Sequence, residues 1–277
     1  MRTSNLPPMD LEEIRRALVA TCQSTDQEQN EAIGAGIAAD TARHFRAQAL
    51  MAHSRPSPSS LLDCARQQWF KAQGVKPEHP NPPHWFYRRA LGTMSEVFWN
   101  LVLGQSHPGL GVQPFSASVF ISPGVYGWPD GQFPALNALV EFKCLSGWGY
   151  NGVRLKGVRE AEPGHYMQVQ LYMHGAGWPW CLYLACLPDL GLMQNILQRE
   201  KRYQDLELPF FYLEWIRKDD DTIDRGLERI AWLQRVLAQA EPPAAEYDPT
   251  LQRKGKPVWP CSGCPFPKAC LELQARV

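Results

Sequence analysis

The order of elements written into this chain predicts a mixed α/β fold with a strand meander, not a repeated βαβ winding. Three observations carry that expectation. Helix-period segments open the chain, and from Pro114 to Cys144 the apolar period changes to two. A helix, two strands and a second helix then follow, ahead of a Pro-rich tail. With 277 residues, of which 44% are hydrophobic and 20% charged, the chain is a globular protein able to bury a sizeable core.

Each element has a local reason. In the N-terminal segment, Asp10 and Glu13 are spaced as a capping box ahead of Leu11, Ile14 and Leu18 at helical spacing. Ala32 to Met51 is Ala-rich and helix-prone. The Pro/Ser run from His53 to Ser60 breaks that pattern, so residues 1–56 are expected to form a helical extension and 57–277 the main domain. A helix should begin near Ser59 or Ser60 and carry Leu61, Leu62, Ala65, Trp69 and Phe70, with Cys64 in its first turns. After a loop holding Pro77, Pro80, Pro82 and Pro83, a long helix is expected from about His84 to Leu103. Met94, Val97, Phe98, Leu101 and Val102 would form its apolar face, and Glu96 lies within it.

The segments SASVFIS, Val125 to Asp130 and ALVEFK read as strands between Pro/Gly turns. Glu162 to His174 reads as a helix with Pro163 in its first turn. WCLYLACL (180–187) and PFFYLEWI (209–216) read as strands. Asp221 to Ala240 is an amphipathic helix through Leu227, Ile230, Ala231, Leu233 and Leu237, stopped by Pro242 and Pro243.

Composition narrows the function classes. Lys+Arg and Asp+Glu are both 28, so bulk charge cannot attach this protein to nucleic acid, and any such site must be a local patch. The opening MRTSNLPPMDLEE has no apolar signal-peptide region, and the most apolar window, Trp178 to Met193, is broken by Pro188 and Asp189. A cytoplasmic location is the expectation. The eight cysteines are then expected as thiols or metal ligands rather than disulfides.

The segment richest in chemistry is Trp128-Pro129-Asp130-Gly131 followed by Leu139-Val140-Glu141-Phe142-Lys143. Glu141 and Lys143 are two apart on a strand, so both leave one face while Phe142 leaves the other. In a hairpin-like pair Asp130 comes close to Glu141. Two carboxylates at such a distance repel by about 4 kcal/mol at an effective dielectric near 20, which a divalent cation relieves. Oxygen ligands of this kind suit Mg²⁺ or Mn²⁺. Alone, the pattern reads more readily as a surface Asp-Gly turn beside an exposed Glu/Lys pair.

Asp130 followed ten residues on by Glu141-Phe142-Lys143 resembles the PD-(D/E)xK nuclease superfamily. Glu96 on an upstream helix, and Gln168 with Tyr172 four residues apart on a following one, resemble its RecB-type branch. The resemblance implies a restriction-endonuclease-like core, a mixed sheet flanked by helices. It implies that Asp130, Glu141 and the Phe142 carbonyl hold the metal with Glu96 completing the shell, and that Lys143 orients the attacking water. Gln168 and Tyr172 would steady the DNA strand or Lys143. CRISPR-associated relatives usually carry histidine where Glu96 stands, which moves this chain toward phage- or repair-type exonucleases.

The tail contains Cys261-Ser262-Gly263-Cys264 and then Cys270, a C-x2-C-x5-C pattern. Three such thiolates can wrap one metal centre and need a fourth ligand, for which Cys64 is the best candidate. Four thiolates suit Zn²⁺ as well as an Fe–S cluster. The one-plus-three split resembles the cluster-bearing nucleases of the RecB-type branch, including AddB nuclease domains, CRISPR-associated exonucleases and phage relatives. That resemblance spans Ser57 to Cys270. It implies a 4Fe–4S cluster on Cys64, Cys261, Cys264 and Cys270 that clasps the tail to an N-terminal helix. Cys181 and Cys186 read as core, and Cys144 as pointing opposite Lys143.

The function so implied is metal-dependent DNA exonuclease activity in recombination, repair, phage DNA processing or CRISPR-type adaptation. DNA, as single strands or duplex ends, is the implied partner, with room for a helicase, recombinase or integration complex. Arg66, Arg154, Lys156, Arg199, Lys201 and Arg202 are candidate phosphate contacts, and Trp148 and Tyr150 candidate stacking groups. Two readings of other classes stay open: a non-catalytic DNA-binding or partner subunit that keeps the fold, and a zinc-clasped protein without nuclease activity.

Overall fold

A computed structural model describes residues 7–49, 56–78, 83–114, 117–187, 211–253, 256–258 and 260–274. Its centre is a five-stranded mixed sheet built from β1 (Gln113–Pro114), β4 (Gly131–Phe133), β5 (Ala138–Cys144), β6 (Trp180–Cys186) and β7 (Phe211–Arg217), in that spatial order. Only β5 and β6 are parallel; the other neighbours are antiparallel. A separate hairpin of β2 (Val119–Ser122) and β3 (Val125–Gly127) lies between β1 and β4 in sequence. The mixed α/β architecture is the one expected from the element order.

Helices cover both faces. The helices α1 (Leu11–Cys22), α2 (Gln27–Ala49) and α4 (Pro83–Ser106) are on one side of the sheet. There Ile14, Leu18, Trp99, Val102 and Leu103 pack on Ala138, Val140, Phe142, Leu182 and Leu184. Ile14 and Leu18 are buried in the same core as the central strands, and Trp215 Nε1 donates to the Met9 carbonyl at 2.9 Å. Alternate residues of β5 and β6 leave the opposite face, where Leu139, Cys181, Tyr183 and Ala185 meet α7 (Pro163–Ala176). Because α7 is enclosed by the sheet, the β2–β3 hairpin and α8 (Asp220–Leu237), its residues 168–173 are buried all round.

Several boundaries differ from expectation for local reasons. Pro58–Ser60 forms a separate 3₁₀ turn, so α3 (Ala65–Ala72) starts later and Cys64 is its N-cap, not a residue of its first turns. Asp10 caps α1 by accepting from Glu12 N–H at 3.1 Å. Met94 is 45% exposed, while Val97 and Val102 are buried as expected and are joined on that face of α4 by Trp99 and Leu103. The strand β4, after Asp130, was hidden by its Gly-Gln-Phe composition. The helices α5 (Gly147–Lys156) and α6 (Val158–Ala161) fill the β5–α7 connection; Ser146 caps α5 by accepting from Gly149 N–H. Downstream, β8 (Gln252–Arg253), β9 (Lys256–Pro257) and α9 (Pro267–Gln274) form the tail.

Candidate active site

Asp130 stands immediately before β4, which pairs antiparallel with β5 only through Gly131↔Val140, Gln132↔Leu139 and Phe133↔Ala138. Beyond Val140 the edge of β5 is therefore open on that side. Asp130 fills the opening: its Oδ2 accepts from Phe142 N–H at 2.8 Å. N–H and C=O of one strand residue point the same way, so the Phe142 carbonyl shares this edge with Asp130. Asn100 Nδ2 donates to the Asp130 carbonyl at 3.1 Å and fixes the turn to α4.

Glu141 and Lys143 both leave β5 toward α7, as their spacing requires. Lys143 Nζ donates to Glu141 Oε1. The Lys143 side chain is 20% exposed and that of Glu141 only 1%. The other carboxylate oxygen, Glu141 Oε2, is buried and has no hydrogen-bond partner among the described residues. Leaving a charged oxygen in that state is costly unless a cation or proton meets it.

The electrostatics agree. Burial raises the Asp130 carboxyl well above its ordinary range, and the charges of Glu141 and Glu96 raise it further. Burial also raises Glu141, against the pull of Lys143 and with the help of Glu96. Burial works against charge on Lys143, yet Glu141 and Asp130 hold its pKa above that of a free lysine. Three carboxylates thus act on one another around a single ammonium. Asp130, Glu141, Phe142 and Lys143 stand together at the open edge of β5, and the charge of Glu96 on α4 reaches both carboxyls.

Gln168 and Tyr172 reach the same place from α7. Gln168 Nε2 donates to Tyr172 Oη at 3.0 Å. Burial raises the Tyr172 phenol, and Glu141 adds to that while Lys143 opposes it. Three residues of the neighbourhood were missed. Asn100 is one helical turn beyond Glu96, and His165 is three residues ahead of Gln168, so helical spacing could have found both. Tyr183 is opposite Glu141 on the parallel strand; its hydroxyl lies 3.0 Å from His165 Nδ1. Burial, with Lys143 nearby, lowers His165 to about 3, so its imidazole is neutral.

Other expected residues fall elsewhere. Tyr150 is fully buried and packs in the core, so it cannot stack on a base; Trp148 is 83% exposed. Arg66 is buried and is no phosphate contact: its Nε donates to the Pro243 carbonyl at 2.9 Å and its Nη1 to Cys270 Sγ at 3.5 Å. Lys156 is exposed and pairs with Glu160 at 3.0 Å. Arg154 is half-buried on α5. Arg199, Lys201 and Arg202 lie outside the described residues. Cys181 and Cys186 are buried, and a hydrogen bond from the Cys186 thiol lowers Cys144 to about 7.

Cys64, Cys261, Cys264 and Cys270 line one cavity of about 100 Å³, with Arg66, Phe70 and Tyr247 among its walls. Burial raises the Cys264 thiol, and the other three thiols raise it further. Among the described residues no three His, Cys, Asp or Glu side chains are drawn close enough to chelate an ion in the conformation seen. The donor sets nonetheless fit in kind: four thiols among the cavity walls, and carboxylate oxygens, one of them buried and orphaned, at the strand ends.

No family model and no curated protein matches the chain. Among solved structures it is similar to an alkaline exonuclease from Laribacter hongkongensis, at 13% identity and TM-score 0.43 over 66% of this chain and 88% of that one. It is also similar to a phage-related exonuclease from Haemophilus somnus 129PT, at 14% identity and TM-score 0.46, covering 65% and 92%. A third, SSO0001, has 13% identity and TM-score 0.41, covering 83% and 91%. Superpositions this loose assign no activity.

Proposed function

We propose that this protein is a Mg²⁺- or Mn²⁺-dependent deoxyribonuclease, acting as an exonuclease, that carries a 4Fe–4S cluster on Cys64, Cys261, Cys264 and Cys270. The observation that carries the nuclease reading is the buried, unpartnered Glu141 Oε2. It is set among mutually repelling carboxylates, beside a lysine held in its charged form. A stability-driven core has no use for that arrangement.

Asp130, Glu141 and the Phe142 carbonyl, with Glu96 nearby, would hold the cation. When bound there it supplies charge neutralisation at the phosphate and a water ionisable near neutral pH. The protein's share is positional. Phe142 N–H fixes the Asp130 carboxylate. The Lys143 ammonium, held beside the carboxylates by Glu141, would orient an attacking water and stabilise the developing negative charge. Gln168 holds the Tyr172 hydroxyl beside Lys143, and burial of this face keeps bulk water from competing. On the tail, the sulfur cavity would hold the cluster as a structural tie between α3 and α9; structural metal sites contribute on the order of 10 kcal/mol to folding.

Linear and closed circular DNA, incubated with purified protein and Mg²⁺ or Mn²⁺, test the first part. Shortening of linear DNA only, lost in Lys143→Ala, is expected; cleavage that continues in that variant removes the mechanism. Iron in stoichiometric amount with visible absorbance supports the cluster, and zinc without iron removes it.

A further inference from the structure

The hairpin ahead of Asp130 exposes aromatic rings that the proposed chemistry does not use. Phe120 is 55% exposed, Tyr126 45% and Trp128 50%. Phe120 and Tyr126 are register partners across β2 and β3, with ring centroids 5.8 Å apart at 70°. Tyr126 and Trp128 are exposed while their neighbours Val125, Gly127 and Pro129 are buried, and the chain then bends at the partly buried Asp130. At roughly 3.3 Å per residue, Trp128 is within about 7 Å of Asp130 along the chain.

The hairpin is also fixed to the catalytic helix. The Tyr172 ring sits against the bare Gly127 backbone, and Gly175 of α7 passes so close to the Phe120 carbonyl that a Cβ there would stand 2.7 Å from it. The buried residues of the hairpin, Val119, Ile121 and Val125, belong to the core that includes Tyr172. The rings are therefore held at a set place relative to the carboxylates rather than carried on a loose loop.

We propose that Phe120, Tyr126 and Trp128 form a base-stacking platform that receives a single strand of DNA and leads it to Asp130 and Glu141. The inference rests on the deoxyribonuclease reading above. Its physical ground is charge. The chain has no net positive charge, and its candidate site is rich in carboxylates, which repel a phosphate backbone. Bulk charge supplies no affinity, and stacking is available from every base whatever the sequence. Paired bases bury their faces in the duplex, so only an unpaired strand can use the platform. Binding of this origin depends weakly on salt, because few counterions are released.

The test is fluorescence-anisotropy binding of a single-stranded oligothymidylate to the full chain, with divalent cations chelated so that nothing is cut. An abasic oligomer of equal length serves as the comparison. Native protein should bind the abasic strand at least tenfold more weakly. Phe120→Leu, Tyr126→Leu and Trp128→Leu, which keep apolar cover on the hairpin, should each weaken oligothymidylate binding roughly 5- to 100-fold and leave abasic binding unchanged. Equal affinity of native protein for both strands overturns the platform, and that measurement needs no variant to fold. Folded variants that bind like native protein overturn it too. If native protein binds neither single-stranded nor duplex DNA, the platform is overturned, while the deoxyribonuclease reading is decided separately by the cleavage assay with Mg²⁺ or Mn²⁺. Duplex binding without single-strand preference overturns the platform alone.

Discussion

The ring of Tyr172 occupies the space in which a side chain on Gly127 would have to stand. The contact joins the β2–β3 hairpin to the helix that carries Gln168, and it places the Tyr172 hydroxyl by steric exclusion. Gly127→Ala should therefore displace the ring. The expected cost is about 1–3 kcal/mol of stability, as for overpacking elsewhere. A shift of the Gln168–Tyr172 pair by about 1 Å should lower kcat on the order of 10²-fold. In a Tyr172→Ala background the same substitution meets only Ile121 Cδ1, 3.1 Å from the new methyl, and most of its cost should vanish. Thermal melts of the two single variants and the double variant check this; costs that simply add would refute the steric account.

Asp130 is held near Glu141 and Glu96 at a cost that the metal-free protein bears alone. Its pKa is raised, so its ionised form opposes folding at neutral pH. Asp130→Asn removes that charge, and the amide oxygen can still accept from Phe142 N–H. Purified protein without added divalent cation should then melt at a higher temperature in the variant than in the native chain. Cleavage of DNA should fall to background in the same variant. A Tm that drops would show that Asp130 is stabilising as an anion.

The sequence made the chemistry easier to read than the scaffold. Glu141 and Lys143 could be set on one face because strand geometry fixes alternation regardless of context. Gln168 and Tyr172 could be set together because helical spacing does the same. What escaped was set by tertiary structure. The strand Gly131–Phe133 is short and begins with glycine, so only pairing with β5 makes it a strand. Tyr150 carries an aromatic ring that looks available, yet its place on α5 turns it into the core while Trp148, two residues earlier, faces solvent. Arg66 has a charge that suggests phosphate, yet a backbone carbonyl and a thiol hold it inside. His165 gives no sign of its neutral state until burial and Lys143 are seen together.

That neutral state has a pH consequence. The imidazole of His165 has a pKa of about 3 in the folded protein against 6.5 when free. Between those values the unfolded chain binds a proton that the native state refuses, so stability rises with pH across this window. The contribution is complete above about pH 6.5 and is lost as acid approaches pH 3. The side chain is 28% exposed, which tempers the effect to a few kcal/mol at most. His165→Gln can keep a hydrogen bond to Tyr183 without titrating. The Tm of native protein minus that of the variant should fall steadily from pH 7 to pH 4. A difference independent of pH would mean that His165 titrates like an exposed histidine.

The tail is held by protein contacts, and Glu78 is the clearest of them. Its carboxylate accepts from Lys268 N–H at 2.9 Å and Ala269 N–H at 2.8 Å, so a residue far away in sequence caps α9. Glu78 N–H in turn donates to the Pro265 carbonyl at 2.9 Å. A helix of eight residues cannot sustain itself in water, and an anion at its N-terminus satisfies two donors while opposing the helix dipole. Glu78→Ala should cost about 1–2 kcal/mol, felt locally rather than over the whole fold. Amide hydrogen exchange at Lys268 and Ala269 should accelerate roughly tenfold, while exchange in β5 and β6 stays as it was. Phe266, buried against Phe70 with ring centroids 5.3 Å apart, should keep the tail docked in the variant. If the proposed cluster is present, iron content should be retained in Glu78→Ala, and its loss there would show that this cap, rather than the aromatic contact, positions Cys270.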